Sequence, residues 1–137
     1  MKTASFFTWR GPGRISIARW EPRGLAPGFR RYPALAPRRE MLRMPYGPYR
    51  NLYLRDILGP LDPGRVADDL HRLAGGFEPV LLCWERPPFT AANWCHRRMV
   101  AEWFAATLGL EVPECTPEEA LKMERAAGPA PARPGGA

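Results

Sequence analysis

No stretch of this 137-residue chain approaches the ~20 consecutive apolar residues of a membrane-spanning helix, so no membrane partner is expected. Met1 to Thr8 lacks both the apolar centre and the small-residue cleavage site of a secretory signal. Cysteine is scarce and odd in number. Cys83, Cys95 and Cys115 are the three present, which argues against the paired framework of a secreted disulfide domain and for a cytoplasmic protein with reduced thiols. No Cys-x2-Cys pair prepares a zinc site. No glycine-rich phosphate loop, Ser-His-Asp pattern, helix-turn-helix signature or internal repeat is present, and no motif calls for a cofactor. Lysine is rare as well: Lys2 is the only one among the first 50 residues, where arginine takes its place.

What the chain does contain is proline (17) and glycine (13) in quantity, yet short of the share that marks a low-complexity chain. With 45% hydrophobic residues it can bury a modest core, and its length fits one domain. Charge is unevenly placed. Residues 1–50 carry eleven Lys/Arg against Glu21 and Glu40, a net +9, whereas residues 51–110 carry −1 and 111–137 carry −2. A basic half of this kind is the footprint of a phosphate-rich partner. Arginine-favouring codon usage spread over solvated loops would give the same total. On the first reading Arg30, Arg31, Arg38, Arg39 and Arg43 contact nucleic-acid phosphates, with Phe29, Tyr32 and Tyr46 interleaved as stacking rings.

The pattern in chain order predicts a first strand over 5–9, a turn at Gly11-Pro12-Gly13 and a second strand over 15–18. Arg19 follows the end of that second strand. Residues 21–36 are too rich in Pro and Gly for a regular element. A short helix is expected from Pro37 to Leu42 and another from Pro48 to about Leu58, with Tyr49 and Tyr53 on its apolar stripe. Asp62-Pro63 then caps a helix whose buried face is Val66, Leu70, Leu73 and Ala74. Leu110 to Val112 reads as a short edge strand. Thr116 and Glu119 form a capping box for a last helix over 117–125, and residues 126–137 have nothing to bury and are expected to be disordered.

The rest of the chain is organised around residues 79–104. Val80, Leu81, Leu82 and Cys83 form a short apolar run bounded by prolines, as in a parallel strand covered on both faces. Met99, Val100, Trp103, Phe104, Thr107 and Leu108 recur at helical spacing, and Gly109 suits the position just past the helix. Cys95 and His96 extend that face backwards to the end of the strand. Arg97 and Arg98 sit where a helix N-terminus already carries partial positive charge, an unfavourable place for cations. Two arrangements would answer this: an anion held by backbone N–H groups and an arginine, or pairing of Arg98 with Glu102 and of Arg97 with Glu85.

The two halves of this stretch, Leu81-Leu82-Cys83-Trp84-Glu85-Arg86 and Cys95-His96-Arg97-Arg98-Met99-Val100-Ala101-Glu102-Trp103, resemble the signature of the DUF488 family of uncharacterised bacterial and archaeal proteins. Tyr49-Arg50-Asn51-Leu52-Tyr53, Leu61-Asp62-Pro63, Ser16-Ile17-Ala18-Arg19 and Leu35-Ala36-Pro37 are similar to that family too, so the resemblance covers roughly residues 3–113. It implies one compact α/β domain and no particular activity. The loop from Pro87 to Trp94 departs from it, being longer and more aromatic.

The expected fold is therefore a single three-layer α/β domain over 1–125, with a mainly parallel, Rossmann-like sheet and flanking helices. Ligands in such sheets bind beyond the carboxyl ends of the strands. The expected site brings together Cys83, Glu85, Cys95, His96, Arg97, Arg98 and the more distant Arg19 around a small anionic, phosphate- or nucleotide-type ligand. Glu85, just past a buried strand, is the candidate general base, with Arg97 stabilising charge. Cys95 at a helix start with His96 beside it is a candidate nucleophile, although a buried structural cysteine is the more frequent outcome for such a residue. Adjacent residues on a helix diverge by about 100°, so His96 is not automatically aimed at the Cys95 sulfur. A zinc site from Cys83, Cys95, His96 and Cys115 is disfavoured, because no Cys-x2-Cys pair exists and neighbouring Cys95 and His96 are a poor chelate. The pattern is compatible with binding alone and with catalysis.

Overall fold

A computed structural model describes residues 1–127. Four strands, β1 (Lys2–Ser5), β2 (Arg14–Ser16), β3 (Arg30–Arg31) and β4 (Val80–Cys83), form one parallel sheet in the order β1-β4-β2-β3. Four α-helices accompany it: α1 (Tyr46–Leu52), α2 (Pro63–Ala74), α3 (His96–Leu108) and α4 (Pro117–Ala127). The α/β class is as expected. Among the described residues no helix is long and apolar enough to cross a membrane.

The central position of β4 explains its unbroken apolar run. All four residues are buried, and successive side chains point to opposite faces. Leu81 joins Ile15, Ile17, Val66, Leu70, Val100 and Phe104 in one apolar cluster. Val80 and Leu82 join Ala4, Phe6, Trp9 and Ala120 in another. The cap of α2 is the expected one: Asp62 Oδ1 accepts from the N–H of Gly64 (3.0 Å) and Arg65 (3.3 Å). The capping box of α4 forms as well, with the Glu119 N–H donating to Thr116 Oγ1 at 3.1 Å.

Several boundaries differ from the sequence pattern. The first strand is Lys2–Ser5 rather than 5–9, because register with Val80–Cys83 sets its limits. Beyond it Trp9 N–H turns back to the Ser5 carbonyl, and Phe6 and Trp9 drop into the second cluster. The second strand is shorter than expected, although Ile17 N–H still reaches the Leu82 carbonyl at 3.1 Å. Residues 30–31 add a parallel strand within the stretch assigned no element, since the five residues between Pro27 and Pro33 are free of proline and leave room for a short pairing with β2. Residues 37–42 give a 3-10 turn at Arg39–Met41, with another at Pro33–Leu35, instead of a helix. Leu110 to Val112 forms no strand; the contact falls later, at a Thr3–Glu114 bridge. Helix α4 runs through Ala126 and Ala127, which were expected to belong to the tail; residues 128–137 lie outside those described.

Helix α1 begins before Pro48 and passes directly into a π-helical turn, Tyr53–Leu58. Such turns are rare and occur often near functional sites. Tyr53 is fully buried there and donates its hydroxyl to the Leu35 carbonyl at 2.6 Å. Tyr53→Phe would strand that carbonyl. Loss of such a bond is expected to lower the unfolding free energy by about 1–2 kcal/mol in urea titrations. An unchanged midpoint would mean that the bond contributes nothing.

Candidate functional site at the junction of strand and helix

The chain carries its chemically versatile side chains to the carboxyl end of the sheet. Residues just after β2 (Arg19, Trp20), the end of β4 (Cys83, Trp84, Glu85), the start of α3 (Cys95, His96) and the approach to α1 (Arg43, Met44) line one cleft of about 370 Å³. Tyr49 and Trp94 add its aromatic wall, their ring centroids 4.5 Å apart. Five expected site residues, Arg19, Cys83, Glu85, Cys95 and His96, thus share one cavity.

Cys95 precedes α3 in extended conformation (φ −141°, ψ 143°). It does not follow the helical 100° rotation, so its sulfur and the neighbouring imidazole turn the same way: Cys95 Sγ lies 3.8 Å from His96 Nδ1. His96 Nε2 lies 2.7 Å from the Ile17 carbonyl. A carbonyl only accepts, so Nε2 carries the proton and Nδ1 keeps a lone pair on the sulfur side. Burial holds His96 down at about 4, with the Arg97 charge adding to the effect. Its ring is neutral at physiological pH and packs edge-on to Tyr53. Cys83 and Cys95 are themselves in bonding contact as a disulfide, so the expected set of three free thiols reduces to Cys115. The donor atoms of Cys83, Cys95 and His96 all lie within 4.8 Å of one another and are buried. Among the described residues these three are grouped so that they could hold a metal ion. Cys115 is not with them; it belongs to the opposite apolar cluster.

The two arginines do not act as the sequence suggested. Arg97 is fully buried and forms a two-pronged pair with Glu114, Nε to Oε1 at 3.0 Å and Nη2 to Oε2 at 2.8 Å. Two further donors go to Cys83 Sγ (3.1 Å) and the Glu85 carbonyl (2.7 Å), and Phe89 covers its face. It is absent from the cleft lining, and these donors are directed to protein groups. Arg98 donates to Thr3 Oγ1 (2.8 Å) and the Val112 carbonyl (2.7 Å) and is likewise outside the cleft. Neither expected acid is the partner: Glu102 pairs with Arg50, and Glu85 meets Arg97 only through its backbone. Glu114 was missed because it lies 17 residues downstream of Arg97 in a stretch with no pattern. The one available signal was two cations at a buried helix start, which demand an acid from somewhere.

Glu85 is exposed at the rim of the cleft rather than buried beside the strand end. Tyr49 is a better-placed donor. Burial, with the Glu85 carboxylate nearby, holds its phenol well above the usual range, and it faces the cleft protonated. Asn93 fixes the long loop by donating to the carbonyls of Arg86 (2.7 Å) and Pro88 (2.8 Å). Arg43, assigned by sequence to the nucleic-acid surface, lines the cleft instead. Of the others in that set, Arg31 pairs with Glu21 and Arg38 with Glu40 and Asp56, while Arg30 and Arg39 are exposed.

Outside the site, burial and then the Glu119 carboxylate push the Cys115 thiol up to about 11. In the folded protein Cys115 is therefore expected to resist iodoacetamide near neutral pH, since only thiolate reacts. Its rapid alkylation, mapped by peptide mass spectrometry, would contradict this.

No protein-family profile matches the chain, and neither a curated protein nor a solved structure matches it.

Proposed function

We propose that the chain binds a small anionic ligand, of phosphate or nucleotide type, in the cleft at the carboxyl ends of β2 and β4. One observation carries the reading: Arg19 and Arg43 line the same cleft, and among the described residues neither has an acidic partner. Uncommitted guanidinium groups on a partly enclosed wall recognise phosphate and carboxylate oxygens by paired, charge-assisted bonds. The aromatic rings of Trp20, Trp84, Trp94 and Tyr49 suit a planar group attached to that anion. A second cavity of about 520 Å³ continues past Arg19, and Ser16, which lines it, has a buried hydroxyl with no partner. Such an orphan is a ready contact for a bound oxygen.

The resemblance to the DUF488 family belongs to the same proposal. It is supported by the convergence of its two motifs, Cys83 to Glu85 and Cys95 to Arg97, on one junction. A three-layer, Rossmann-like arrangement is supported by the apolar clusters on alternate residues of β4. A cytoplasmic, reducing compartment is proposed with it.

The test is a thermal-shift panel of phosphate, nucleoside monophosphates and carboxylates at millimolar concentration, in which any ligand that binds only the folded state raises the midpoint. Stabilisation by at least one is the expected outcome. Each charge-assisted bond is worth about 1.5–3 kcal/mol, so Arg19→Ala and Arg43→Ala should each weaken binding by about tenfold or more. A panel with no stabilising member contradicts the reading. The nucleic-acid alternative has less support, because Arg31 and Arg38 are paired with acids and Arg43 faces the cleft. It would show itself as salt-dependent gel shifts that Arg30→Ala with Arg39→Ala abolishes.

A further inference from the structure

We propose that the reduced chain binds one zinc-type divalent metal ion through Cys83 Sγ, Cys95 Sγ and His96 Nδ1, with a fourth position open to the cleft. The donor set comes from two places far apart in the element order: the last residue of β4, and the adjacent pair at the start of α3, one residue before the helix and one at its first position. All three residues are buried and their donor atoms converge within 4.8 Å. With bonds of about 2.0–2.1 Å to nitrogen and 2.3 Å to sulfur, a tetrahedral ion spaces its ligands roughly 3.5–3.8 Å apart. The 3.8 Å between Cys95 Sγ and His96 Nδ1 is already of that size.

The backbone also favours a bridge longer than a disulfide. The Cα atoms of Cys83 and Cys95 stand 7.1 Å apart, beyond the usual disulfide range of about 4.4–6.8 Å. An ion between two thiolates spans a wider gap than a direct bond. The disulfide uses the same two sulfurs, so the two forms exclude each other, and the metal-bound form belongs to the dithiol state.

The surroundings are those of a ligating histidine. His96 donates Nε2–H to the Ile17 carbonyl, which fixes the ring and leaves Nδ1 as the free donor. Arg97 donates to Cys83 Sγ at 3.1 Å and is itself held by Glu114. These outer contacts orient a thiolate and satisfy its charge. Two thiolates would leave a double negative charge inside the protein; a divalent cation cancels it. Thiolate with imidazole selects zinc over calcium or magnesium, which prefer oxygen ligands. The adjacency of Cys95 and His96 is no obstacle, because Cys95 is extended rather than helical.

Cys83, Cys95 and His96 all line the cleft that holds Arg19 and Arg43. Three protein ligands with one side open is the pattern of a metal that takes water or substrate. The coordination rests on the donor geometry alone. That the open position receives the cleft's anion rests on the reading proposed above.

The experiment titrates full-length protein, reduced with a phosphine and stripped by a chelator, with Co(II). One cobalt per chain is expected, with a thiolate-to-cobalt charge-transfer band and the strong visible bands of a tetrahedral ion, all lost on adding Zn(II). Cys83→Ser and Cys95→Ser should each weaken binding more than about 100-fold, beyond the roughly 10–100-fold cost of losing an outer-shell partner; Cys115→Ser should not. Should a serine variant fail to fold, the wild type answers by itself: bound Zn(II) should protect Cys83 and Cys95 from a thiol reagent, as mapped by mass spectrometry. Absence of the charge-transfer band, or equal labelling of the two cysteines with and without Zn(II), overturns the site. Inorganic phosphate should shift the visible bands of the wild type, and no shift overturns the open position. Arg19→Ala with Arg43→Ala should keep the full cobalt spectrum, so failure of anion binding and failure of metal binding read out separately.

Discussion

Glu114→Ala is expected to destabilise the protein by about 3–5 kcal/mol, because it leaves the guanidinium of Arg97 buried without its counter-charge. Arg97 has no exposed surface, and Glu114 supplies both of its carboxylate contacts at 3.0 and 2.8 Å. Thr3 Oγ1, which donates to the same carboxylate at 2.6 Å, would lose its acceptor too. Replacing both members, Arg97→Met with Glu114→Ala, should cost much less than the sum of the two single changes, since no unpaired charge then remains. Chemical denaturation of the four proteins of this cycle decides the matter. A loss below about 1 kcal/mol for Glu114→Ala, the scale of an exposed pair, would show that solvent reaches Arg97.

Gly13→Ala is the second large effect. Gly13 has φ +79°, and a Cβ there would lie 2.0 Å from the Glu78 carbonyl oxygen. The left-handed conformation alone costs an L-residue roughly 1–2 kcal/mol. The clash is with backbone, and it falls where the Gly13 carbonyl accepts from Val80 N–H at 2.8 Å. Relief therefore requires moving the start of β4 away from β2. The combined loss should be about 3 kcal/mol or more, at the severe end for single substitutions. Gly75→Ala is the matched control: its φ is +62° with nothing within 4 Å of the added carbon, so it should show only the conformational cost. Equal melting temperatures for the two variants would refute the steric argument.

These two positions also indicate what the sequence could and could not reveal. The β4–α3 unit was legible, because a proline-bounded apolar run and a helical apolar face are local patterns. The cap at Asp62 and the box at Thr116 and Glu119 were legible for the same reason. Strand limits were not, since they follow from register: Lys2–Ser5 pairs because Val80–Cys83 lies alongside, not because of its own composition. The two-residue strand at Arg30–Arg31 was hidden among prolines. At the site, proximity in sequence accounts for Cys83, Glu85, Cys95 and His96 lining one cleft, and the end of β2 accounts for Arg19. It failed for Arg97 and Arg98, whose partners Glu114, Thr3 and Val112 are set by tertiary packing. It also failed for Arg43, which the turn at Arg39–Met41 carries into the cleft. The expectation that His96 diverges from the Cys95 sulfur assumed helical geometry at a residue that is extended.

The central claim is that Arg19, Arg43 and the tryptophan-lined wall form one anion-binding cleft. It is tested most directly by titrating a nucleoside monophosphate into the protein while following the indole N–H resonances of all five tryptophans. Trp20, Trp84 and Trp94 line the cleft, and Trp84 Nε1–H donates to the Trp20 carbonyl at 2.7 Å. Trp9 packs in the opposite apolar cluster, and Trp103 lies on α3 away from the cavity. The account expects saturable shifts at Trp20, Trp84 and Trp94 with Trp9 and Trp103 unmoved. Shifts spread over all five, or none at millimolar ligand, would contradict it.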